Sequence, residues 1–184
     1  NQYKPYCKNI LIYFHGGGYF IGKPNMFMYI CEKMNNYIGE RCNINIFIMD
    51  YKKSPEYTYP TAIDESYDTY LKLIEENPNS NFYFYGESAG AHLLTQVVYK
   101  AIQNGKKIPK MIVNHCPWVM SNIGKIESEY DYASKTHEIT YLNNYRGNQE
   151  IDEVSLLNID YTGFPKTIVC YSNEYLESEI EMWI

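Results

Sequence analysis

Two short runs of residues have the types and spacing for nucleophilic chemistry. Residues 86–90 read Gly-Glu-Ser-Ala-Gly, the pattern G-x-S-x-G, directly after an apolar run and directly before an amphipathic one. Between a strand and a helix, a serine so flanked projects its hydroxyl from a sharp turn. The glycines remove Cβ atoms that would collide with neighbouring backbone. Ser88 is therefore a candidate nucleophile for attack on a carbonyl. The start of the following helix adds unpaired N–H groups and the positive end of a dipole, suited to the charge that develops on the carbonyl oxygen. Residues 15–18 read His-Gly-Gly-Gly, again after an apolar run. Gly16, Gly17 and Gly18 allow the backbone to approach a ligand closely. One of their N–H groups, with that of Ala89, would form an oxyanion hole.

Alternating strands and helices must position these runs. Residues 9–14 (NILIYF), 44–50, 81–85, 110–116 and 167–171 read as strands; the first is nearly continuous in apolar residues, as expected of a strand covered on both faces. Residues 25–41 read as helical. Residues 61–76 place Ile63, Tyr67, Tyr70, Leu71 and Ile74 on one helical face, with Pro60 before and Pro78 after. Residues 88–104 form a helix with Ala91, Leu94, Val98 and Ile102 on one face and Gly105 as its cap. This β-α-β order predicts an α/β fold with a mostly parallel sheet and helices on both faces. Residues 120–160 mix charged residues and tyrosines without a clear period. So long an irregular connection is either a lid or cap insertion or a plain surface insertion.

The bulk numbers bound the rest. The 184 residues suit a single domain. A net charge of −6, with no more than two Lys/Arg in succession, argues against nucleic acid as a partner. No apolar run reaches membrane-spanning length, so no integral membrane segment is expected. Five cysteines, at 7, 31, 42, 116 and 170, have no metal-ligand spacing. They read as free thiols of a reducing compartment, which favours the cytoplasm.

On these motifs the sequence resembles the hormone-sensitive-lipase-like branch of the α/β-hydrolases, which includes carboxylesterases and arylacetamide and steryl-ester deacetylases. The resemblance is carried by residues 15–22 (HGGGYFIG), 50–60 (DYKKSPEYTYP), 86–90, Pro117-Trp118 and 163–165 (Gly-Phe-Pro), in family order over almost the whole chain. It implies hydrolysis of short- to medium-chain, aryl or steryl esters through an acyl-enzyme, a small-molecule ester as partner, and no metal or cofactor. It also implies a triad acid after the last strand, where Glu174 matches and Glu177 is the rival. Asp50 and Glu56 are expected to brace the glycine loop.

Two departures bear on these expectations. In this fold the triad histidine follows the acid in the chain, and no histidine lies after Glu174. Of the four present, His15 belongs to the glycine loop, His92 is expected to pack, His115 to line the pocket, and His137 lies in the irregular stretch. The family also has strands and a cap segment before its HGGG strand. Residues 1–184 are thus expected to be a partial core, with the N- and C-terminal parts of the fold missing. Two other readings stay open. The gibberellin receptor resembles the same family and has lost the triad histidine, so a ligand-binding protein is one. Residues 86–92 (GESAGAH) also resemble kynurenine formamidases, so an amide hydrolase is the other.

Overall fold

The computed structural model describes residues 7–39, 41–121, 135–172, 174 and 176–184. Strand β1 (Asn9–Phe14) leads through the glycine loop to helix α1 (Pro24–Gly39), then β2 (Ile44–Met49), α2 (Thr61–Glu76), β3 (Asn81–Glu87) and α3 (Ala89–Gln103). Strand β4 (Met111–His115) follows, then α4 (Lys135–Arg146), the short α5 (Ile151–Val154), a 3-10 turn (Leu156–Asn158), β5 (Lys166–Cys170) and α6 (Glu177–Trp183). The sheet order is β2-β1-β3-β4-β5 and every neighbouring pair is parallel.

Burial explains why the strands read as they do. Ile10 through Phe14 are all buried, so both faces of β1 are covered. Ile10, Ile12 and Phe14 join Phe82, Phe84 and the α2 and α3 side chains in the main core, and the Tyr70 ring meets both Phe82 and Phe84 edge-on. On the opposite face, Tyr13 packs edge-on against Phe27 of α1. Helix α3 is buried almost all round over its first ten residues. It lies between the sheet, α2 and the 3-10 turn, so Leu93 and Val97 are as buried as the predicted face.

The chain runs from β1 outward to β2, then returns to place β3 on the other side of β1. In a parallel sheet such a reversal opens a crevice at the carboxyl ends of the two strands, because the connections leave them in opposite directions. The glycine loop follows β1, and Ser88 follows β3, at that point.

Within 120–160, residues 122–134 lie outside the described residues. The rest contains a regular twelve-residue helix, α4, where no period was apparent. Its inward residues are Glu138, Tyr141, Leu142 and Tyr145, spaced by three, four and seven, with Glu138 and Tyr145 buried. Three of the four carry polar atoms, which hid the period from a hydropathy reading.

Candidate active site

Ser88 sits between β3 and α3 with φ 52° and ψ −121°. The turn is held by its own backbone: Ser88 N–H donates to His115 O (3.0 Å), and Ser88 O accepts from Ala91, His92 and Trp118 N–H at 3.0, 3.2 and 3.2 Å. The flanking glycines are required sterically. A Cβ on Gly86 would come 2.6 Å from Gly90 O, and one on Gly90 would overlap Phe14 O.

The glycine loop lies against this turn. A Cβ on Gly16 would be 3.4 Å from Ser88 Cβ. Gly17 and Gly18 have φ of 117° and 61°, a region an L side chain adopts only under strain. Among the described residues, the N–H groups of Gly17, Gly18 and Ala89 meet no hydrogen-bond acceptor. Two cavities meet at Ser88. One, of about 260 Å³, is mainly apolar and lined by Ile21, Met26, Phe27, Glu87, His115 and Cys116 along with the loop. The other, of about 150 Å³, is walled by Trp118, His137, Glu138 and Tyr141.

The loop is braced by residues other than those expected. Asp50 is exposed and pairs with Lys53 at 3.4 Å, and Glu56 is exposed. The bracing comes from Tyr51, whose hydroxyl donates to His15 O (2.8 Å), and from Ser54, whose N–H and hydroxyl donate to Tyr19 O at 2.8 and 3.1 Å. The braced atoms are carbonyl oxygens, which need a donor; a hydroxyl or an amide N–H supplies one and an ionised carboxylate cannot.

Each histidine has a distinct place. His15 is fully buried, with its ring between Phe27 (4.9 Å) and Tyr51 (4.5 Å) and its Nδ1–H donating to Gly16 O at 2.7 Å. Burial lowers its pKa. In His92, Nε2 faces Val154 O at 2.7 Å and must carry the proton, so Nδ1 accepts from the Tyr19 hydroxyl at 2.7 Å. Complete burial pushes its pKa down to about 4. Both nitrogens are engaged, as a packed histidine requires. His115 lines the larger cavity as expected, with Nδ1 3.0 Å from the Tyr85 hydroxyl. His137 lines the smaller one, a placement its sequence neighbourhood did not reveal.

Glu174 follows β5 at the same end of the sheet; its neighbours Asn173 and Tyr175 lie outside the described residues. One carboxylate oxygen is buried without a hydrogen-bond partner among the described residues. The Cys116 thiol, which lines the Ser88 cavity, is beside it. Burial first, and Glu174 second, push that thiol up to about 12, so it stays protonated. Glu177 is half-buried in the first turn of α6. Sequence reasoning missed the wall supplied by Glu138 and Tyr141, which the spacing along α4 could have signalled.

Comparison with known proteins agrees with this architecture. An acetyl-hydrolase of Streptomyces hygroscopicus is 27% identical over 109 residues, a match covering 59% of this chain and 35% of that protein. A gibberellin receptor of Arabidopsis thaliana is 29% identical over 115 residues, covering 58% of this chain and 31% of the receptor. Each match thus spans about a third of the relative's length. A hyperthermophilic esterase of Pyrobaculum calidifontis superposes with a TM-score of 0.84 at 20% identity, over 98% of this chain and 62% of that one. At that identity the likeness is one of fold. The model of the alpha/beta hydrolase fold matches residues 11–181, and the chain belongs to that family.

Proposed function

We propose that this chain forms the core of a serine ester hydrolase that acts through an acyl-enzyme. Ser88 Oγ attacks the ester carbonyl. Its proton passes to a histidine, which the family resemblance puts later in the chain than Glu174, and from there to the leaving alcohol. Amides of Gly17 or Gly18, with that of Ala89, hold the tetrahedral oxyanion, each donor contributing roughly 3–4 kcal/mol. Glu174 orients the histidine and stabilises its charged form. Water then repeats the sequence and releases the acid. The observation that carries this reading is the juxtaposition of Ser88, on a positive-φ turn at the start of α3, with glycine-loop amides that meet no acceptor among the described residues.

The relatives' names, acetyl-hydrolase and esterase, support ester substrates. Two cavities meeting at the serine suit an ester whose two substituents leave in different directions. Within the 120–160 segment, α4 forms one wall of the site and acts as part of a lid over Ser88. The test is fluorophosphonate labelling of the full-length protein. Ser88 should be the modified residue, Ser88→Ala should abolish labelling, and p-nitrophenyl acetate should be turned over. The receptor relative supplies the second reading. An unlabelled Ser88, together with saturable binding of a gibberellin, would establish that one instead.

A further inference from the structure

We propose that Tyr145 of α4, acting through Tyr19, positions the glycine loop whose amides hold the oxyanion; the inference rests on the ester-hydrolase reading. Tyr19 follows Gly18 directly and has φ 58°. For a bulky L residue that conformation is unfavourable and persists only where the surroundings enforce it. The surroundings are specific. The fully buried Tyr19 ring stacks on Tyr145 with centroids 3.7 Å apart and planes within 13°. Its hydroxyl donates to His92 Nδ1, and its carbonyl takes both hydrogen bonds from Ser54.

These contacts tie the loop to the nucleophile's own helix. His92 lies one turn into α3 after Ser88, and its other nitrogen donates to Val154 O. The chain of contacts therefore runs from Ser88 along α3 to His92, through Tyr19, and into Gly18. Tyr145 covers one face of the Tyr19 ring. It is itself fixed by edge contacts with Tyr59 and His92 and by the hydrogen bond from Tyr59 N–H to its carbonyl at 2.7 Å. One turn earlier on α4, Tyr141 packs over Gly18, where an added Cβ would meet its ring at 2.5 Å, and stacks on Phe20 at 5.4 Å.

Helix α4 thus grips residues 18–20 with two tyrosines four positions apart. Tyr141 also lines the smaller cavity and would touch substrate, whereas Tyr19 and Tyr145 line neither cavity at Ser88. An effect of Tyr145 on kcat with KM unchanged therefore passes through the loop, whereas one carried by the α4 wall of the cavity would show in KM. A displacement of about 1 Å at reacting groups costs on the order of 100-fold in rate.

The experiment uses the full-length protein with Tyr145→Leu and Tyr145→Phe, the second retaining the stacked ring. Readouts are kcat and KM on p-nitrophenyl acetate, affinity for a trifluoromethyl ketone, and thermal unfolding as the fold control. The ketone reports on the hole because Ser88 Oγ, its proton passing to the histidine, adds to the carbonyl carbon while the C=O π pair becomes negative charge on the ketone oxygen. Tyr145→Leu should lower kcat by about 10- to 100-fold with KM within about threefold, and weaken the ketone in parallel. Tyr145→Phe should restore both. Should the leucine variant not fold, Tyr145→Met carries the same expectation. Parent kcat in a folded leucine or methionine variant, a change confined to KM, or a phenylalanine variant as impaired as leucine would each overturn the proposal. Failure of the unaltered protein to label at Ser88 would instead overturn the hydrolase reading beneath it.

Discussion

Ser88 holds φ 52° and ψ −121°, a conformation that costs an L residue on the order of 1–3 kcal/mol. It persists because four backbone hydrogen bonds converge on the serine's own amide and carbonyl. The glycines on either side are as tightly constrained. Replacing Gly90 with alanine drives a methyl group into Phe14 O, so the variant should lose at least about 1–3 kcal/mol of stability, measured by urea unfolding. Fluorophosphonate labelling should fall with it, because Phe14 leads directly into the glycine loop. An alanine variant of parental stability would mean that the β1–α3 approach is looser than the structure has it. At this scale the sequence was explicit: G-x-S-x-G and HGGG fall where a turn without Cβ atoms is needed. It was silent on Tyr51 and Ser54 as the braces of the loop, since either residue type serves equally well on a surface.

Among the elements, α6 is fastened by a buried carboxylate. Glu179 is fully buried and accepts from Val119 N–H (3.4 Å), Ser121 N–H (3.1 Å) and the Ser121 hydroxyl (3.1 Å), joining α6 to the segment after β4. Glu179→Ala leaves those three donors buried and unpaired, each at about 1–3 kcal/mol, so a loss of at least about 3 kcal/mol is expected on urea unfolding. The Lys100–Asp64 pair between α3 and α2 is shorter, at 2.6 Å, yet both side chains are partly exposed. Solvent screens it, so Asp64→Asn should cost less than about 1 kcal/mol in the same assay. The longer elements were legible because their apolar residues repeat at helix or strand period. Helix α4 was not, because Glu138, Tyr141 and Tyr145 face inward despite their polar atoms, and the Trp118 indole N–H donates to Glu138 at 2.9 Å.

For the whole molecule, burial of neutral histidine links stability to pH. His92 has its pKa lowered to about 4 when folded, against about 6.5 when unfolded. A depressed folded-state pKa means its contribution is complete above pH 6.5 and is lost as pH falls toward 4, reaching about 3 kcal/mol at the limit. His15, lowered by its own burial, acts in the same direction. Urea midpoints at pH 7.5 and 4.5 should show the loss, and His92→Gln should flatten the slope; an unchanged slope would assign the effect to other groups. No helix among the described residues is long and apolar enough to cross a membrane. The sequence by itself determined the strand–helix alternation, the sharp turn at Ser88 and the glycine loop, because each depends on local period or on the absence of a Cβ. Only the tertiary structure decided which strands are neighbours, and hence that the two glycine-bearing turns meet at the reversal between β1 and β3. It also decided that α4 closes over them, because those pairings join residues far apart in the chain through contacts that no local pattern encodes.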